Sequence, residues 1–291
     1  MKYYDGIQTL IGNTPLVKLS RMDTPEEIGL FAKLELWNPG GSVKDRIGVS
    51  MLEEAEKTGK LRPGGTIVEA TAGNTGLGIA IAALGKSYRV IFVVPTKFSA
   101  EKQSLMRALG AEVVNTPREE GMLGASRKAG ELLSMIPGAI SLKQFENPAN
   151  PQAHYETTGP EIWRDLEGHV DYLVAGAGSG GTYSGAVRYL KERNPRVKGI
   201  LADPVGSIIG GGQDHADYDI EGIGNDFIPQ TMDLELVDEV IKVFDADAFE
   251  TSKKIARREG IFAGTSSGAA LHAALTIARR VKTGNIVAIL P

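Results

Sequence analysis

The sequence predicts a parallel, doubly wound α/β fold, and three observations carry that expectation. Short apolar runs alternate with helix-like stretches along the chain. Runs such as Ile91-Phe92-Val93-Val94-Pro95 and Tyr172-Leu173-Val174-Ala175-Gly176 are continuously apolar, as strands covered on both faces must be. Several runs pass directly into glycine- and hydroxyl-rich turns that open a helix. At 291 residues, 42% hydrophobic and 23% charged, the chain can bury its core as one large or two modest domains.

In order, strands are expected at 30–36, 66–69, 90–94, 112–115, 139–142, 172–175, 199–202, 239–243 and 286–290. Helices are expected at 45–58, 75–84, 100–109, 121–134, 155–166, 182–193, 247–259 and 267–282. The Pro- and Asn-rich run Asn147-Pro148-Ala149-Asn150-Pro151 marks a crossing between two lobes. The expected domains are therefore 1–145 and 146–291, with the first ~35 residues able to pack on the second lobe. A second irregular stretch, 204–219, holds Gly210-Gly211-Gly212 and is expected to border a site.

Composition removes several function classes. The net charge is -4 and no basic cluster occurs, so nucleic acid is not an expected partner. The absence of cysteine excludes disulfides, thiolate zinc sites and a cysteine nucleophile. The four histidines lack metal-ligand spacing, so no metal is expected. No apolar run reaches membrane-span length and Met1-Lys2-Tyr3-Tyr4-Asp5 does not begin a signal peptide, which together imply a cytoplasmic protein with no membrane contact.

Four loops carry candidate chemistry. Asn38-Pro39-Gly40-Gly41-Ser42-Val43-Lys44-Asp45-Arg46 places Lys44 in the first turn of a helix, just after a flexible break. The helix macrodipole disfavours a cation there by roughly 0.3–1 kcal/mol. The position therefore favours a neutral amine, the form that makes Schiff bases with carbonyls and with pyridoxal phosphate. The second loop, Glu69-Ala70-Thr71-Ala72-Gly73-Asn74-Thr75-Gly76, joins a strand to a helix. Thr71, the N–H groups from Gly73 to Gly76 and the helix start form a nest for a substrate carboxylate, and Asn74 can meet an aromatic hydroxyl. A plain helix cap is the alternative reading of the same residues.

The third loop, Ala175-Gly176-Ala177-Gly178-Ser179-Gly180-Gly181-Thr182, lets backbone close on a phosphate while Ser179 and Thr182 offer hydroxyls. It also matches Gly-x-Gly-x-x-Gly at Gly176, Gly178 and Gly181, with Asp203 about twenty residues further on, so a nicotinamide-dependent dehydrogenase is a remote rival. The hydroxyl-rich end suits one terminal phosphate better than a pyrophosphate. The fourth loop, Gly264-Thr265-Ser266-Ser267-Gly268, opens the last long helix. Ser266 is either an N-cap or a hydroxyl partner for a pyridine nitrogen.

Taken together, NPGGSVKDR, EATAGNTG, GAGSGGT, EGIGNDFIP and GTSSGAA resemble the cysteine synthase/cystathionine β-synthase family, pyridoxal-phosphate enzymes of fold type II, the tryptophan synthase β-like fold. The resemblance runs in family order from Gly12-Asn13-Thr14-Pro15-Leu16 to the final strand, and the EGIGNDFIP segment looks closest to bacterial O-acetylserine-dependent cystathionine β-synthases. It implies that Lys44 is the Schiff-base lysine, that Asn74 meets the cofactor hydroxyl, and that Gly178, Ser179, Gly180, Gly181 and Thr182 cradle the phosphate. It implies further that Ser266 meets the pyridine nitrogen. Thr71, Ala72, Gly73, Asn74 and Thr75, with Gln144, would bind the substrate carboxylate, and Gly222 lies in the loop that closes over it.

The implied reaction replaces the β-substituent of O-acetyl-L-serine, or L-serine, by a thiol through an aminoacrylate. Ala70 and Ala72 stand where the family often has Pro and Ser, which removes one hydroxyl near the substrate. Glu221 and Asp226 could meet the ammonium of homocysteine, a group that sulfide lacks, so cystathionine is the expected product, with sulfide and cysteine the alternative. A homodimer is implied, and a serine acetyltransferase tail is a further partner the family suggests. The chain stops at Ile289-Leu290-Pro291, where the family usually continues into a tail.

Overall fold

A computed structural model describes residues 3–71, 73–212 and 215–291. The strands are β1 (Leu16–Lys18), β2 (Ile28–Leu34), β3 (Thr66–Ala70), β4 (Arg89–Pro95), β5 (Glu112–Thr116), β6 (Tyr172–Gly176), β7 (Lys198–Pro204), β8 (Glu239–Val243) and β9 (Gly284–Leu290). The helices are α1 (Lys44–Lys57), α2 (Asn74–Ala83), α3 (Ala100–Ala108), α4 (Gly121–Met135), α5 (Ala149–Ala153), α6 (Gly159–Asp165), α7 (Gly181–Arg193), α8 (Asp245–Glu259) and α9 (Thr265–Ala278). The chain divides into two compact units, Met1–Ile11 with Asn38–Ala149, and Gly12–Trp37 with Asn150–Pro291.

The first unit is built on a parallel sheet in the order β3-β4-β5. One face packs Val68, Ile91 and Val93 against Ala125 and Ala129 of α4. Helices α1 and α2 meet through glycine: a Cβ on Gly48 would strike the Gly78 carbonyl, and a Cβ on Gly78 would strike the Lys44 carbonyl. Glycine inside a helix costs about 0.5–1 kcal/mol. Here it lets the first turns of α1 and α2 lie backbone against backbone, so Lys44 and the loop before Asn74 become neighbours.

The second unit has a sheet in the order β1-β2-β9-β6-β7-β8, parallel except for the β1–β2 pair. In β9, Ile286, Ala288 and Leu290 enter the core on one face, and Val287 and Ile289 the core on the other. Each large aliphatic side chain so buried stabilises by about 1.5–3 kcal/mol. Both parities of the strand are therefore apolar, which is why its sequence shows no alternation. Lys33 of β2 is fully buried, its Nζ donating to the Thr14 carbonyl at 2.7 Å and pairing with Glu161 at 2.7 Å.

Two expected elements differ, and one strand was not expected. Residues 139–142 do not form a strand: only Ile140 bridges to Ile67, and the Glu69 carboxylate then takes the Leu142 N–H (2.9 Å) and the Ser141 hydroxyl (2.8 Å). A side chain thus replaces the backbone acceptor that a ladder would need. Strand β1 escapes periodicity because three residues are too few to show it. The helix expected at 155–166 begins earlier, at Ala149, because Pro151 sits in a first turn where its missing N–H has no role. It then passes through a π turn, His154–Thr158, closed by the Gly159 N–H on the His154 carbonyl, before α6.

Candidate active site

In the first unit, the turn before α1 is locked by its own side chains. The Asp45 carboxylate, buried, accepts the Gly40 N–H at 2.5 Å, and the Ser42 hydroxyl accepts the Lys44 N–H at 3.2 Å. Gly41, at φ 79°, adopts the left-handed backbone the turn needs. Lys44 is the first residue of α1, and its amine is pushed down from its ordinary value to about 8. The causes are desolvation first and the like charge of Lys102 second. Burial and the neighbouring cation, not the helix dipole invoked from the sequence, are what lower it, and at about 8 the amine is partly neutral near physiological pH.

Lys102, on α3, lies over the Gly73 turn, where a Cβ on Gly73 would come within 2.7 Å of its Cδ. The Thr71 hydroxyl accepts the N–H groups of both Gly73 and Gly76 at 3.2 Å. Those two donors are therefore turned inward, narrower than the nest expected from sequence. The N–H groups of Asn74 and Thr75 begin α2 and have no acceptor in its ladder. The Thr75 hydroxyl donates to Gln144 Oε1 at 2.7 Å, which identifies Nε2 as the donor end of that amide. Glu69, its carboxyl pushed up by burial, anchors the segment that delivers Gln144. Asn74 is half-buried, and Ala72 lies outside the described residues.

In the second unit, β6 runs through the 177–180 loop into α7, with Gly180 at φ 82°. The loop is held from behind by several segments. Asn225 Nδ2 donates to the Gly178 carbonyl (2.5 Å), the Gly224 N–H to the Ala177 carbonyl (2.7 Å), and the Thr231 hydroxyl to the Ser179 carbonyl. Asn150 Nδ2 donates to the Ser179 hydroxyl at 2.9 Å. The Thr182 hydroxyl lies 3.1 Å from His154 Nε2.

A Cβ on Gly178 would sit 2.5 Å from the Gly222 carbonyl, so the 221–229 segment lies directly on the cradle loop. Glu221 and Asp226 are exposed on that segment, and the Glu221 N–H donates to the Thr265 hydroxyl at 3.1 Å. Ser266, the next residue, is half-buried in the first turn of α9. Asp203, the acidic residue of the dinucleotide reading, is fully buried and its Oδ2 is engaged by Lys242 (2.6 Å) and the Gly210 N–H (3.0 Å). It has no reach to a ribose hydroxyl, which removes the feature that favoured a dehydrogenase.

The sequence family described as pyridoxal-phosphate dependent enzyme matches residues 7–291. Over 292 residues the chain is 50% identical to an O-acetylserine dependent cystathionine beta-synthase of Bacillus subtilis, covering 100% of this chain and 95% of that protein. It is 44% identical to a cysteine synthase of Staphylococcus aureus, covering 100% of this chain and 94% of the relative. The chain belongs to the cysteine synthase and cystathionine β-synthase family of pyridoxal-phosphate dependent enzymes.

A solved O-acetylserine dependent cystathionine beta-synthase from Helicobacter pylori superposes with a TM-score of 0.94 at 45% identity, over 100% of this chain and 96% of that one. The fold is pyridoxal-phosphate fold type II.

The residues present fit the family's cofactor. An aldehyde has the Lys44 amine, held at about 8. A phosphate has a glycine loop in which a Cβ on Gly178, Gly180 or Gly181 would strike the segments packed against it, with the Ser179 and Thr182 hydroxyls at its end. Sequence reasoning did not assign Asn150, His154, Asn225 or Thr231, which support the cradle from distant positions. The Asn225 signal was present, since it lies inside the EGIGNDFIP motif. Among the described residues no helix is long and apolar enough to cross a membrane, and no acidic or histidine cluster suits a metal ion.

Proposed function

We propose that this enzyme replaces the acetoxy group of O-acetylserine by the thiol of homocysteine, giving cystathionine and acetate. The observation that carries the chemistry is the Lys44 amine, depressed to about 8 beside the Thr71 loop. Such an amine exchanges a proton near neutral pH, as a group that both accepts and returns a proton must. Bound pyridoxal phosphate supplies the electron sink that acidifies Cα and lets the β-substituent depart.

The chain's own residues do the rest. Lys44 holds the cofactor, takes the Cα proton once released, and returns it after the thiol has added to Cβ. The N–H groups of Asn74 and Thr75, with the Gln144 amide, receive the substrate carboxylate. Asn74 would meet the cofactor's ring hydroxyl, Ser266 its pyridine nitrogen, and residues 178–182 its phosphate. A neutral Ser266 hydroxyl there would leave the ring nitrogen largely unprotonated, which suits a leaving group that departs readily from Cβ.

Homocysteine as acceptor is supported by the exposed carboxylates Glu221 and Asp226 on the segment that overlies the cradle. Either can meet an ammonium, a group sulfide lacks. Similarity to the Bacillus subtilis protein points the same way, whereas similarity to the Staphylococcus aureus cysteine synthase favours sulfide as the second reading. Steady-state competition between the two thiols, with product masses recorded, tests the preference. A higher kcat/KM for cystathionine formation is expected, and a large advantage for cysteine formation would refute it.

We also propose a homodimer, supported by the exposure of Trp37 (65%) and Phe262 (83%) on the second unit. Sedimentation velocity is expected to give twice the chain mass.

A further inference from the structure

The cradle hydroxyls are backed by one helical segment. Asn150 and His154 are four residues apart, on one face of the segment, and reach Ser179 and Thr182 respectively. The contact is close because α7 begins with small residues. A Cβ on Gly181 would run into the Asn150 amide, and one on Gly185 would run into the Pro151 carbonyl and come within 2.9 Å of His154 Cβ. His154 and Thr158 are both fully buried, and His154 Nδ1 lies 2.8 Å from the Thr158 hydroxyl. Both belong to the π turn, a feature common at functional sites.

Three groups thus form one line, Thr158 hydroxyl, His154 imidazole and Thr182 hydroxyl. A neutral imidazole has one donor and one acceptor nitrogen. If Nε2 is the acceptor, it takes the Thr182 proton, and Thr182 turns only lone pairs toward an anion. If Nε2 carries the proton, it donates to Thr182 Oγ1, and the Thr182 proton must find an acceptor elsewhere. Nδ1 then needs a donor, and Thr158 is the hydroxyl in position to be one.

We propose that Thr158 and His154 are positioning residues for the phosphate cradle. The Thr158 hydroxyl donates to His154 Nδ1, which selects the Nε2–H tautomer. That N–H donates to Thr182 Oγ1 and turns the Thr182 proton outward, to a phosphate oxygen of the cofactor. The proposal rests on reading residues 178–182 as the phosphate cradle, and the tests separate the two ideas.

The first test needs no substitution. With histidine labelled by nitrogen-15, the wild-type holoenzyme is expected to show an Nε2–H, Nδ1-acceptor pattern for His154. An Nδ1–H pattern overturns the proposal.

The second test titrates the apo chain with pyridoxal phosphate and, separately, with pyridoxal, which lacks the phosphate. Thr158→Val removes the hydroxyl at nearly constant shape. It is expected to weaken pyridoxal phosphate about three- to tenfold, as loss of one buried hydrogen bond would. Pyridoxal binding should not change, and the phosphorus-31 resonance of the bound cofactor should move. Thr158→Ser should restore all three.

Equal loss of both ligands, or loss of neither, overturns the positioning role. Thr182→Val serves as the reference. If it too leaves the ratio of the two affinities unchanged, the cradle reading fails. If it shifts the ratio while Thr158→Val and His154→Gln do not, the cradle stands and the relay fails.

Discussion

The Lys44 region and the phosphate cradle solve opposite problems. Around Lys44 the fixed groups are backbone turns, tied by Asp45 and Ser42, while the amine is tuned only by desolvation and the Lys102 charge. In the cradle, the loop carbonyls and the hydroxyls are held by other segments: Asn150, His154, Asn225 and Thr231 each reach in. The contrast matches the tasks proposed for them. A group that moves a proton needs a pKa near ambient pH and freedom to swing. A group that holds a permanent anion needs donors already aimed.

Four experiments would break or sharpen this contrast. The largest effect is expected from Lys44→Ala, which should lower kcat by at least about 10³-fold, while the cradle still retains cofactor by equilibrium dialysis. Loss of cofactor along with turnover would mean that the cradle does not hold by itself.

Next, Gly181→Ala puts a methyl into the Asn150 amide. It should weaken pyridoxal phosphate by about tenfold or more, since overpacking a close contact costs roughly 1–3 kcal/mol. The titration of the Lys44 amine, followed by competitive labelling, should not move. If it moves, the two regions are coupled more tightly than their separate supports suggest.

A third experiment concerns charge. In the apo chain the rate at which Lys44 reacts with pyridoxal tracks the neutral amine, so it should rise with pH through a midpoint of about 8. Lys102→Gln removes a like charge that disfavours protonation of Lys44. The midpoint should move upward and the rate at pH 8 should fall severalfold. An unchanged profile would leave desolvation as the sole cause.

The smallest effect is expected for Glu221→Gln and Asp226→Asn, both at exposed positions. Each should raise KM for homocysteine by only about two- to fivefold, as exposed ion pairs contribute roughly 0.2–1 kcal/mol. KM for sulfide should stay constant. Equal changes for both thiols would remove these residues from acceptor recognition.

Strand–loop–helix units are short-range patterns, so the α/β class, the run of parallel strands and family membership were legible in residues such as Gly178, Thr182 and Lys44. A glycine that must follow a strand, or a lysine that must open a helix, is set by its immediate neighbours. Partner choice among polar groups was not legible. Whether the Gly73 N–H faces a ligand or Thr71, and whether Asp203 meets a ribose or Lys242, depends on which segment arrives. The strand expected at 139–142 failed for the same reason, since a carboxylate 73 residues before Leu142 took its N–H.

The sequence by itself therefore determined the fold class and the kinds of chemical group each loop presents, because both follow from local backbone preference and apolar patterning. Only the tertiary structure decided which donors stay available and how Lys44 is tuned. A buried polar group takes whichever partner lies within about 3 Å, and that proximity is created by packing, with no record in the spacing of residues along the chain.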